Sequence, residues 1–277
     1  MRRQFVRVRL ARAGAVGLLC VFQAACNTVD FGAASLTAGE SAASPEARRL
    51  MQLAGDVEAR GEYETAAALY ARAAETSGDG AEAQLRLGNA YLKAGNYPAA
   101  RAAFVKVLAT DSGNAEALFG FGTVQLKNGE IDDSVRTLTT ASPLVNTSSA
   151  YSRLGTALIM AGRSDEALEA FARAQSLAPN DLDVTANMAF AQVLLGRNDE
   201  AVAAMQKVVQ SPLAQTRHRA NLLLMLAIAG RVDEARAMNV PGLSPGQKRD
   251  LLLRARKVRD AKSAPAKARA IGLLQAA

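Results

Sequence analysis

Apolar positions recur through the middle of the chain with a period far longer than that of any helix or strand. Leu53, Leu87, Phe121, Leu154, Met188 and Leu222 form one series, and Tyr70, Phe104, Leu138, Phe171 and Met205 a second, each copy 33 or 34 residues after the last. Small residues keep the same register: Ala54, Gly88, Gly122, Gly155 and Ala189, and then Ala66, Ala100, Ser134, Ala167, Ala201 and Ala235. A glycine punctuates every unit, at Gly61, Gly95, Gly129, Gly162, Gly196 and Gly230. Self-similarity at this period predicts stacked two-helix units. The glycine ends the first helix, where a left-handed backbone is cheapest without a Cβ. The small residues let paired helices approach, and the large ones fill the space between one hairpin and the next. One hairpin cannot bury its apolar face alone, so the units must stack. The register breaks at the end, where Leu223 takes the small site and Asn239 the large one.

These residues resemble the tetratricopeptide repeat (TPR) family. The fullest unit is Leu87-Gly88, Tyr91, Gly95, Tyr97, Ala100 and Phe104, and the fourth unit adds Pro179. The units run 47–80, 81–114, 115–147, 148–181, 182–215 and 216–240. The resemblance implies an all-α TPR helix–turn–helix solenoid of six repeats with a C-terminal capping helix. It says less about activity, because such arrays bind many unrelated partners. It also implies that first helices face a concave groove, through sites ten, six and three residues before each glycine. The partner-binding groove is therefore expected at Leu85, Asn89, Leu92, Phe119, Thr123, Leu126, Ile159, Phe190, Val193 and Leu224. An exposed apolar stripe of this kind marks an interaction site, unless curvature or the C-terminal tail covers it. Phe119→Glu with Phe190→Glu is expected to abolish capture and spare helicity. A clamp for a partner's C-terminal carboxylate would draw on Asn89, Asn187, Arg217 and Asn221, but Leu85 and Gly120 stand where polar groups are needed. Ser164 and Asn198 read as N-caps before the acidic pairs that follow them.

Charge divides the chain. Residues 27–243 hold 19 basic and 24 acidic residues, whereas residues 244–277 hold nine basic and two acidic ones. Tryptophan is absent and aromatics make up 5%, which argues against a large β core. The cysteines are Cys20 and Cys26 and the one histidine is His218, expected on an exposed helix face. No nucleophile, base and metal set can be assembled, so no enzyme, cofactor, metal site or small-molecule substrate is expected. Acidic pairs such as Asp132-Asp133 read as helix starts on the surface.

Residues 1–12 are arginine-rich, and the apolar run 13–25 is too short to span a membrane. It ends Gln23-Ala24-Ala25-Cys26, which resembles a bacterial lipoprotein signal. The resemblance implies that Cys26 is lipidated and begins the mature protein; unlipidated secretion and an uncleaved N-terminus are the other readings. Asn27 after the cysteine implies the outer membrane, periplasmic face. Residues 27–45 read as a flexible tether, 46–240 as the array, and 241–277 as a basic helical cap and tail.

Leu243-Ser244-Pro245-Gly246-Gln247 is a helix start. The helix is expected to run to Asp260, anchored by Leu251, Leu252 and Leu253, with Arg254, Arg256, Lys257 and Arg259 in solvent and 261–277 frayed. An anionic partner or lipid headgroup is the other use of this basic face; nucleic acid is not expected. The run Thr216-Arg217-His218-Arg219-Ala220-Asn221-Leu222, then Ala229 to Ala235, then Leu243-Ser244-Pro245, resembles the end of TadD-type lipoproteins of the tight-adherence (Flp) pilus system. That resemblance implies a scaffold assisting pilus or secretion-machine assembly through a protein partner such as the outer-membrane secretin. A general periplasmic adaptor for polysaccharide or cell-envelope export is the alternative.

Overall fold

The computed structural model describes residues 44–77 and 80–271, which form helices joined by short turns. The first hairpin is α1 (Pro45–Ala59) and α2 (Tyr63–Thr76), and the second α3 (Ala81–Ala94) and α4 (Tyr97–Thr110). Then come α5 (Ala115–Lys127) with α6 (Ile131–Val145), and α7 (Ser148–Met160) with α8 (Ser164–Leu177). Next are α9 (Leu182–Leu194) with α10 (Asn198–Gln210), and α11 (Thr216–Ile228) with α12 (Val232–Ala237). Two more helices follow, α13 (Pro245–Asp260) and α14 (Ala264–Ile271). Each helix from α1 to α12 packs on its neighbours in the chain, giving the all-α solenoid of helix–turn–helix repeats that the spacing predicts. Among the described residues there is no strand, and no helix is long and apolar enough to cross a membrane. Cys26 and most of the tether lie outside the described residues. The array begins one residue earlier than expected, since Ser44 caps α1 and Pro45 is its first residue.

The periodic sites behave as their chemistry dictates. All six turn glycines have positive φ, between 76° and 85°. Ala66, Ala100, Ser134, Ala167, Ala201 and Ala235 are each fully buried. Ser134 replaces alanine without leaving a buried hydroxyl unpaired, because its Oγ donates to the Gly122 carbonyl at 2.8 Å. Tyr70, Phe104, Leu138, Phe171 and Met205 fill the core. Phe104 lies so close to α5 that a Cβ on Gly120 would stand 2.3 Å from its ring. Leu53 is 49% exposed, as among the described residues no hairpin precedes the first repeat to cover it. The sixth repeat inverts the pattern: α12 stops after six residues, and Leu223 is fully buried while Asn239 is exposed.

Some local expectations are corrected. Ser164 and Asn198 are the first residues of their helices rather than N-caps, and Arg163 and Arg197 hold the cap positions. Arg163 pairs with Glu166 across that first turn. The α13 start is as expected: Ser244 Oγ accepts from Gln247 N at 3.2 Å and Gln247 Oε1 from Ser244 N at 2.8 Å. Its anchor is only in part the leucine triplet, whose members point about 100° apart around a helix: Leu251 and Leu252 pack against the core and Leu253 does not. Ala255 and Val258 are buried, Leu251 and Leu252 half-buried, and Leu253 is 58% exposed. Residues 264–271 are helical rather than frayed, with Ala268 and Ile271 buried.

Candidate partner-binding groove

The first helices of successive hairpins, from α3 to α11, touch one another and make a continuous wall. Two recesses lie along it. One, of about 330 Å³, is lined by Asn89, Leu92 and Lys93 of α3, Phe119, Thr123 and Lys127 of α5, and Ser149 and Arg153 of α7. The other, of about 600 Å³, lies between α7, α9 and α11 and is closed by Leu251 and Arg254 of α13 and Ile271 of α14. Ser149 and Arg153 line both, so α7 is the ridge between them.

The expected exposed apolar stripe is not there. Leu85, Leu126, Ile159, Phe190, Val193 and Leu224 are all buried, none more than 7% exposed. Neighbouring first helices approach closely enough to cover these sites, and the tail covers more. Four of the ten expected residues, Asn89, Leu92, Phe119 and Thr123, line the smaller recess. Phe190 and Leu224 line the larger one, and Leu85, Leu126, Ile159 and Val193 line neither. Thr123 keeps its hydroxyl on its own helix, donating to the Phe119 carbonyl at 2.8 Å. Phe190→Glu would bury a charge, so it cannot separate a groove defect from a folding defect.

The tail enters the groove. Helix α13 packs on α11, and α14 turns back to lie against α13, α7 and α9. Two arginines expected in solvent hold this arrangement: Arg254 donates to the Ile271 carbonyl at 3.3 Å and Arg259 to the Ala227 carbonyl at 3.1 Å. Lys248 donates to the Met238 carbonyl at 2.8 Å. The tail thus narrows the groove at the fourth and fifth repeats, where it borders the larger recess, and does not line the smaller recess at the second to fourth.

Electrostatics differ along the wall. At its first end Glu58 Oε1 accepts from Lys93 Nζ at 2.7 Å and Oε2 from the Tyr70 hydroxyl at 2.8 Å. Burial pushes the Glu58 carboxyl up, but these donors outweigh it and hold it below the ordinary range. Burial and then the Glu58 hydrogen bond push the Tyr70 phenol up to about 12. At the other end His218 is buried rather than exposed, at 2%. Its Nδ1 accepts from Gln215 N at 3.1 Å, so Nε2 carries the proton toward Asp183 Oδ1, 2.9 Å away. Arg217 grips both Asp183 oxygens at 3.0 and 2.7 Å. Arg217 is therefore held in a bridge between repeats, at the lining of the larger recess. Asp183 and Arg217 stand one repeat apart in sequence, a spacing that could have pointed to this bridge, which was not among the sequence expectations. Between the two ends, burial depresses Arg153, and burial and then the Arg153 charge depress Lys127. Among the described residues, no group of three or more His, Cys, Asp or Glu could hold a metal ion.

Two family models described as tetratricopeptide repeat match the chain, one over residues 51–115 and the other over 93–158 and 158–220. The chain belongs to the tetratricopeptide repeat family. TPR domains mediate protein–protein interactions, and this one carries the fold of an interaction scaffold. Solved structures of similar fold include MamA 41-end from Desulfovibrio magneticus RS-1, at 22% identity and TM-score 0.54, over 61% of this chain and 96% of that one. The thermophilic TPR protein TTC0263 of Thermus thermophilus matches at 19% identity and TM-score 0.54, over 65% and 98%. PilF of Pseudomonas aeruginosa matches at 20% identity and TM-score 0.57, over 83% and 97%. These likenesses are of fold. No significant match is found among the curated proteins.

Proposed function

We propose that this TPR chain is a non-enzymatic lipoprotein scaffold on the periplasmic face of the outer membrane, assisting assembly or localisation of a tight-adherence pilus or secretion machine through its secretin. The observation that carries the reading is the Arg217-to-Pro245 run, which resembles the end of TadD-type proteins. Its residues act together: Arg217 and His218 bind Asp183, Thr216 Oγ1 donates to the Pro241 carbonyl at 3.0 Å, and Ser244 and Gln247 cap α13. The Asp183 contacts tie α11 to α9, and the Thr216 and Ser244 contacts fix the turn from α12 into α13. The lipoprotein-like run ending at Cys26 supports the location. PilF, whose likeness is of fold, spans the largest share of this chain among the structures above and hints at a pilus-related role.

The test is genetic and biochemical. Deleting the gene should leave the secretin unassembled or outside the outer membrane. The full chain should restore heat-resistant secretin multimers there, and the Cys26→Ser variant should not, because it should leave the membrane fraction. Normal secretin multimers in the deletion strain would overturn the reading.

A further inference from the structure

The smaller recess has a charge that the array does not balance. Several basic side chains along the solenoid meet acids: Arg101 pairs with Glu130, Arg163 with Glu166, Arg217 with Asp183 and Arg231 with Glu234; others, such as Arg72, Arg197 and Lys207, are exposed to water. Lys93, at the rim of the recess, is committed to Glu58. Lys127 and Arg153 are different. Both are half-buried, both line the recess, and among the described residues neither has a hydrogen-bond or ion-pair partner. Among the described residues, no carboxylate lines the recess. Two cations held close together and partly out of water are costly, and an entering anion offsets that cost. This happens within an array that is acidic in sum, so the positive site is local rather than a reflection of net charge. Beside the cations stand Leu92 and Phe119, also half-buried, and the amide of Asn89. Helix α14 packs on α7 and α9, beside the larger recess, and has no residue in the lining of the smaller one.

We propose that the recess between α3, α5 and α7 binds an acidic segment of a partner protein, its carboxylates held by Lys127 and Arg153 and its apolar side chains by Leu92 and Phe119. The occupant is a protein segment because the site is a concave slot that pairs charge with apolar surface, which a flat anionic membrane does not enter. The proposal deepens the scaffold reading and rests on its premise that the groove holds a protein partner.

The test uses the purified full chain in detergent and three probes: a fluorescein-labelled peptide alternating glutamate and leucine, its lysine-for-glutamate counterpart, and phosphatidylglycerol vesicles. Fluorescence anisotropy should show binding of the acidic peptide over the basic one, weakening as salt rises. Lys127→Glu and Arg153→Gln should each weaken it by about tenfold or more, with helicity and Tm unchanged. Arg136→Gln, on the exposed face of α6, should leave binding unchanged. Equal binding of both peptides, no binding, binding unaffected by Lys127→Glu, or capture of the vesicles alone would overturn the proposal. The assay contains no pilus component, so its failure counts against the acidic-segment site, whereas failure of the secretin test counts against the pilus reading.

Discussion

Pro265 of α14 rests on Gly162, the turn glycine of the fourth repeat. A Cβ built on Gly162 would lie 2.9 Å from the Pro265 Cγ and 3.1 Å from its Cδ. The turn glycines at 61, 95, 129, 196 and 230 have nothing within 4 Å of that position. One repeat turn has therefore become the seat of the tail, while the equivalent turns face open space. The prediction compares two substitutions. Gly95→Ala forces a left-handed alanine and should cost about 1–2 kcal/mol. Gly162→Ala bears the same strain and must also unseat α14. Hydrogen exchange should show lost protection at 264–271 in the second variant only. Equal protection of α14 in both would contradict the docking.

Gly120 is small because Phe104 needs its space. Substituting Gly120→Ala should destabilise the second and third repeats by about 1–3 kcal/mol, the usual cost of overpacking. Trimming the ring with Phe104→Leu should recover part of that loss in the double variant. Denaturant unfolding of the two single variants and the pair measures the coupling. Additive losses would mean that the ring and the glycine do not share the contact.

The Asp183 bridge sets an acid sensitivity. Hydrogen bonding from Arg217 is the largest cause holding the Asp183 carboxyl low; burial opposes it, and the His218 hydrogen bond adds to it. A carboxyl with a lowered folded pKa stabilises the fold above its unfolded value, near about 3.9. That contribution is lost as pH falls through the folded value. The Tm of the native chain should therefore exceed that of Asp183→Asn at neutral pH, and the gap should close below about pH 4. The gap should be modest, because the Asp183 side chain is 56% exposed. A gap that persists at the lowest pH would exclude the ion pair as its source.

What could be read from the sequence follows from what sets each feature. The turn glycines and the small and large sites are fixed by contacts inside a hairpin or between adjacent ones, which repeat with the period, so all of them were legible. Burial of Leu126, Ile159 and Val193 was not, because it depends on how closely first helices approach across the groove, and no single residue reports that distance. The second tail helix was missed for another reason, although the tail itself was named as a possible cover for the groove. Helix α14 buries Ala268 and Ile271, too few positions for a periodicity to stand out. Its one signal is Ser263-Ala264-Pro265, which repeats the serine-then-proline start of α13: Ser263 Oγ accepts from Ala266 N at 3.4 Å. His218 was read as exposed because its partner lies in the preceding repeat.

The claim at the centre of this account is that the open part of the concave wall holds a protein partner. Photo-cross-linking from position 119 in intact cells, with mass spectrometry of the adduct, tests it most directly. Phe119 is half-buried in the smaller recess, and Leu144, 58% exposed, provides a comparison site. The account predicts an adduct from position 119 to a secretin or another pilus-assembly protein, and none from position 144. A partner captured from position 144 and not from position 119 would contradict it.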